Sequence, residues 1–174
     1  MGDGAMTTWN QLITVWRDNK SYSASGAVVA GKAADGSAVK YDFETSTNSW
    51  TSTNATLSYS SDKAQTGSKS LKAVYSGGSG TVRLAGPTGQ SLAGGTRARL
   101  YVALPQTTSI TSITTWVKKA DGTTTSNTDS ISQHYRGSWN AFSITVPSSS
   151  TGTQVGVDFA TSGAFTSYVD AVTW

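Results

Sequence analysis

ITTWVKK, at residues 113–119, places Ile113, Thr115 and Val117 on one side of an alternating pattern and Thr114, Trp116 and Lys118 on the other. A period of two over seven residues is the signature of a strand with one face on a core and the other toward solvent. The indole on the polar side, between threonine and lysine, is either a ligand platform or cross-strand filler, and alternation leaves both readings open.

Strand-like runs extend outward from it at 39–44, 55–60, 70–75, 81–85, 97–104, 110–119, 129–135, 140–146, 154–159 and 168–174. They recur about every 8–12 residues, the spacing of a sandwich or barrel. Gly-Ser, Gly-Gly, Pro-Thr-Gly, Asp-Gly and Ser-Ser-Ser-Thr-Gly sequences punctuate them. With no helix between them, the segments predict an all-β fold of two antiparallel sheets stacked as a sandwich. Alternation then sorts the faces. Ala98, Leu100, Val102 and Leu104, then Phe142, Ile144 and Val146, then Val155, Val157 and Phe159 are expected in the core. The opposite side carries Arg97, Arg99 and Tyr101, then Ala141, Ser143 and Thr145, then Gln154, Gly156 and Asp158.

Before these strands, Trp9, Leu12, Ile13 and Trp16 fall at i, i+3, i+4 and i+7, predicting a short amphipathic helix over residues 8–18 with Thr7 or Thr8 as N-cap. Residues 1–6, MGDGAM, read as a cloning scar. Residues 7–38 are expected to be a helical segment and linker from a neighbouring domain, and residues 39–174 the sandwich itself.

Composition narrows the class. Charged residues are 13% and hydrophobic ones 36% of the chain, a polar but weakly charged balance typical of extracellular all-β domains. Six Trp, seven Tyr and four Phe supply the apolar surface that a disordered chain lacks. The formal charge is +3, with basic residues scattered rather than clustered, which argues against nucleic acid as a partner. No cysteine is present, so disulfide and thiol chemistry are excluded. No apolar run approaches the roughly 20 residues of a membrane-spanning helix, so no membrane partner is expected.

Tyr41-Asp42-Phe43-Glu44, then Asn48-Ser49-Trp50, then Thr66-Gly67-Ser68-Lys69-Ser70-Leu71-Lys72, and finally Tyr168-Val169-Asp170-Ala171-Val172 follow in an order that resembles the carbohydrate-binding modules attached to bacterial polysaccharide-degrading enzymes. The resemblance covers residues 39–174 and implies a jelly-roll form of the sandwich. It further implies a structural calcium held by Glu44, Asp170 and main-chain oxygens around Gly67 to Lys69, a set of hard donors suited to that ion. The alternative is that Glu44 and Asp170 pair with Lys69 or Lys72 at the surface.

The expected function is that of a non-catalytic, monomeric, secreted or cell-surface module. It would bind a plant cell-wall β-1,4-linked polysaccharide (mannan, glucan or xyloglucan, or xylan) and bring an attached glycoside hydrolase to it. A pyranose stacks its C–H face on an aromatic ring, and its hydroxyls take planar polar partners at the ring edge. If Trp116 shares a sheet with the other outward residues, it is the platform, with Tyr101 and Arg99 as its neighbours and Gln154 and Asp158 behind them, beside Arg83. Trp139 either joins that face or caps the sandwich edge, and Trp50 is either a cleft wall or a lid on the core. His134, alone, has no second histidine or cysteine with which to hold a metal. Two other classes remain open: an adhesion or surface-layer sandwich that binds no glycan, and an enzyme resembling polysaccharide lyases.

Overall fold

The computed structural model describes residue 33 and residues 37–107 and 109–174. The helix expected over 8–18, the scar at 1–6 and most of the 7–38 segment lie outside the described residues.

Ten strands form two antiparallel five-stranded sheets. In the first sheet the order is β1 (Thr51–Thr53), β4 (Gly80–Ala85), β9 (Gly152–Thr161), β6 (Ile110–Lys119) and β7 (Thr124–Ser130). In the second it is β2 (Thr56–Ser60), β3 (Ser70–Tyr75), β10 (Phe165–Thr173), β5 (Arg97–Ala103) and β8 (Trp139–Thr145). The inward residues expected from alternation meet between them: Leu100, Val102, Phe142, Val157 and Phe159 are all buried, as are Ile113, Thr115 and Val117. Full burial of one such large side chain contributes about 1.5–3 kcal/mol, so this face of each strand fixes its register.

Two expected strands are corrected. The run at 39–44 is not a strand but makes a single bridge, Tyr41 to Val172, because Phe43 turns to φ 56° and Asp42 Oδ1 accepts the Glu44 amide at 3.3 Å. The run at 129–135 is instead β7 at Thr124–Ser130 followed by one 3₁₀ turn, Ile131–Gln133. The Asp121-Gly122 turn closes the β6–β7 hairpin early, with the Lys119 amide donating to the Thr123 carbonyl at 2.8 Å. β7 is an edge strand reading TTSNTDS, mostly exposed, so it carries no apolar alternation to detect. β1, a three-residue edge strand reading TST, escapes detection for the same reason.

Candidate functional site

On the outer face of the first sheet, cross-strand register sets Thr53, Arg83, Asp158, Thr114 and Thr128 in one row. The adjacent row holds Ala85, Gly156, Trp116 and Ser126. Trp116 is therefore on the solvent side, as its phase predicts. Its indole leans across the sheet over Gly156, where a Cβ would strike both the ring and the Leu84 carbonyl. Glycine at 156 makes the seat.

The ring is clamped rather than bare. Its Nε1–H donates to Asp158 Oδ1 at 2.8 Å, and the Arg83 guanidinium sits 4.9 Å from the ring centroid. Arg83 is fixed there by a fork onto Asp158, Nε to Oδ1 at 2.9 Å and Nη2 to Oδ2 at 2.7 Å. That hydrogen bond also holds the guanidinium above its usual pKa. Trp116 is consequently 4% exposed, which corrects the expectation of an open indole. The Arg83 side chain is itself 52% exposed, so what lies over the indole is in contact with solvent. Gln154 borders the same face, with its amide Nε2 donating to the Gly86 carbonyl at 2.7 Å, and Lys118 stands exposed beside it.

The remaining candidates are dispersed. β5 belongs to the second sheet, so Arg99 and Tyr101 lie across the sandwich from Trp116, which corrects their expected place beside it. Tyr101 and Trp139 are buried on that sheet's outer side with Ala33, Ala103 and Ala171, and Val39 and Tyr168 pack on them. Trp139 thus shares no face with Trp116. Trp50 is a lid on the core: 4% exposed, it meets Phe43 edge-on at 5.7 Å and Tyr41 at 6.0 Å. His134 meets Phe142 in a tilted ring contact, centroids 4.6 Å apart. Arg83 gains importance over its sequence reading because a four-residue spread across β4, β9 and β6 becomes local only when the strands are ordered in space.

Glu44 and Asp170 converge on one turn. Asp170 is fully buried; its Oδ2 accepts the Gln65 and Thr66 amides at 2.7 and 3.0 Å and its Oδ1 the Ala171 amide at 2.7 Å. A bulge between Asp170 and Thr173, with Ala171 at φ 46°, produces this turn of the side chain. Burial pushes the Asp170 carboxyl well above the usual range against these hydrogen bonds, and the nearby Glu44 charge adds to the rise. For Glu44, burial also acts upward, but hydrogen bonds from Ser68 and Lys69 outweigh it and the net direction is down. Its Oε1 accepts the Ser68 and Lys69 amides at 2.8 and 2.9 Å and its Oε2 the Ser68 hydroxyl at 2.7 Å. Gly67, at φ 61°, lets the chain pass so close that a Cβ would strike the Glu44 carboxylate. The alternative of Asp170 pairing with a surface lysine is excluded by its burial; Lys72 instead bonds Asp62 at 2.6 Å. Two carboxylates beside a tight turn match a hard cation in charge, but each of their oxygens already accepts from an N–H or O–H group, and the amides aimed at Glu44 turn the carbonyls of their own peptide planes away from it. Among the described residues no group of three His, Cys, Asp or Glu could hold a metal, so main-chain oxygens would have to complete the site. Lys69 meets Glu44 through its amide N–H rather than its carbonyl.

With this geometry in view, solved structures give the family of shapes. A structure from a study of the promiscuous specificity of carbohydrate-binding modules of the β-sandwich superfamily superposes with TM-score 0.70 at 25% identity, covering 85% of this chain and 64% of that one. The chain has the jelly-roll fold of the carbohydrate-binding modules. TmCBM61, in complex with β-1,4-galactotriose, matches this chain with TM-score 0.55 at 15% identity over 76% of this chain and 92% of that one. A xylan-binding domain of family 22 matches it with TM-score 0.50 at 19% identity over 76% and 89%. The chain spans 64% of the length of the first of these structures. No family model matches its sequence, and no curated protein matches it. Among the described residues no helix is long and apolar enough to cross a membrane.

Proposed function

We propose that this chain is a non-catalytic glycan-binding module that holds an extended β-1,4-linked cell-wall polysaccharide across the outer face of the first sheet. The observation that carries the reading is Trp116 on the outer face of the first sheet, seated on Gly156, bonded to Asp158 and covered by the Arg83 guanidinium that a sugar would displace. In the bound state the pyranose replaces Arg83 over the ring, and Arg83, Asp158 and Gln154 bond the hydroxyls at its rim. Few groups are desolvated on so shallow a face, and affinities in the micromolar to millimolar range follow. The module would act in a secreted protein, as a monomer, by raising the local concentration of an attached glycoside hydrolase on its polymer.

Catalysis is disfavoured on the same face. Glycoside hydrolysis ordinarily takes two carboxylates. In the register of the five strands Asp158 is the one carboxylate turned outward among the described residues, and Arg83 and Trp116 already engage it. Affinity electrophoresis against soluble mannans, glucans, xylans and galactans is expected to show retardation on at least one β-1,4-linked polymer, with no reducing-sugar or unsaturated-product release. Retention on none would leave the adhesion reading, and product release would leave the lyase reading.

The reading includes a structural calcium on Glu44 and Asp170, completed by main-chain oxygens around Gly67 to Lys69. Bound to the native state alone, calcium at a hundredfold excess over its dissociation constant adds about 2.7 kcal/mol of stability. Differential scanning calorimetry is expected to show a higher melting temperature in calcium than in chelator. Identical melting temperatures would remove the ion from the account.

A further inference from the structure

On the other side of the sandwich, a groove of about 590 Å³ runs along the start of β10 and the loop that follows β5. Its volume lies within the roughly 300–1,000 Å³ of small-ligand sites. Tyr168 and Tyr75 supply rings, half-buried in each case, while Val74, Leu104, Pro105 and Phe165 supply the apolar wall. Val74 is 38% exposed and leaves the sheet on the same face as Tyr168, whereas Tyr75 leaves the opposite face and packs against Phe165 at the edge of the core. The Tyr168 ring is held in place by its hydroxyl, which donates to Asp62 Oδ2 at 3.1 Å, and the Tyr75 hydroxyl is held by the Gly78 carbonyl at 3.1 Å.

The rim is cationic and pinned. Lys63 is the one charged side chain in the lining, and its ammonium donates to the Gly137 carbonyl at 2.9 Å. Arg136 donates through Nη1 to the carbonyl of Thr107, another lining residue. Carbonyls hold both side chains in place without neutralising them. The adjacent acid, Asp62, is already taken by Lys72 at 2.6 Å. The Tyr168 ring, an apolar wall, the Gln106 amide and the Lys63 ammonium, with Arg136 bonded to the lining residue Thr107 just outside them, make a surface complementary to a sugar ring that bears a negative charge.

We propose that this groove is a second saccharide site, selective for a glycan carrying carboxylates, that is, a chain containing uronate residues. The sugar lies on Tyr168 and against Val74, with its carboxylate toward Lys63 and Arg136. Because the groove and the Trp116 face belong to different sheets, the site stands independently of the function proposed for that face, and one chain can hold two polymers at once.

Isothermal titration of the whole chain with an oligogalacturonate, and separately with a neutral β-1,4-gluco-oligosaccharide and a neutral β-1,4-manno-oligosaccharide, tests it. The oligogalacturonate is expected to bind, to weaken as salt is raised, and to perturb the Val74, Phe165 and Tyr168 amide resonances. Lys63→Glu is expected to weaken it about tenfold and Lys63→Arg to retain it, while neither alters binding of the neutral oligosaccharides. Absence of oligogalacturonate binding, equal binding by Lys63→Glu, or resonance changes confined to the Trp116 face would each overturn the proposal. Failure of the neutral oligosaccharides alone would count against the Trp116 face and leave this groove standing.

Discussion

Trp116→Ala is expected to lower folding stability by about 3 kcal/mol and to abolish retention on β-1,4-linked glycans. The two losses come from one geometry. The indole covers Gly156, where the backbone lies bare for want of a Cβ, and alanine cannot reach across the strand to replace it. Asp158 loses the Nε1–H donor at 2.8 Å, and Arg83 loses the ring 4.9 Å beneath it. Trp116→Phe separates the parts, since it keeps a ring over Gly156 and removes only the hydrogen bond, a loss of about 1 kcal/mol. Urea unfolding reads the stability and affinity electrophoresis the binding, at a temperature where both variants are folded. If Trp116→Ala binds as tightly as the wild type, the indole is a structural strut and the floor of the site lies elsewhere.

Why the sequence announced this strand yet misjudged its tryptophan follows from what alternation encodes. A period of two reports which side of a sheet a residue leaves, and Trp116 does leave the solvent side with Thr114 and Lys118. It says nothing of neighbours on other strands. Arg99 and Tyr101 have the right phase but the wrong sheet, because β5 pairs with β10 and β8, whereas β6 pairs with β7 and β9. Gln154 and Asp158 fall beside Trp116 because β9 is its hydrogen-bonded partner. The buried faces of β5, β8 and β9 were legible for a simpler reason: each carries large apolar residues at every second position. The edge strands β1 and β7 have no such residues, being polar on both sides. The groove at Tyr168 is a third case. Its tyrosine was visible as part of YVDAV, but Lys63 and Arg136, the cations near it, come from loops about a hundred and about thirty residues earlier in the sequence.

Asp170→Ala is expected to be the most destabilising single change in the second sheet, at about 4 kcal/mol. One fully buried carboxylate accepts three backbone amides, from Gln65, Thr66 and Ala171, and each loses that acceptor when the side chain is cut back to a methyl. The loss falls at a bulge, where Ala171 at φ 46° depends on that local acceptor to hold its backbone. Asp170→Asn is expected to cost about half as much, because one oxygen remains to accept while the amide group faces donors. It is also neutral, so it relieves the repulsion from Glu44 that acts on the native carboxylate. The pair of variants therefore distinguishes two roles for the same residue. If Asp170 serves only as an acceptor for amides, Asp170→Asn lowers the melting temperature equally in calcium and in chelator. If it also holds the ion, Asp170→Asn and Glu44→Gln each remove the rise in melting temperature that calcium gives the wild type, because a carboxamide binds calcium far more weakly than a carboxylate does. A calcium response that persists in both variants would place the ion elsewhere and leave Asp170 as a purely polar clasp between β10 and the turn at 65–69.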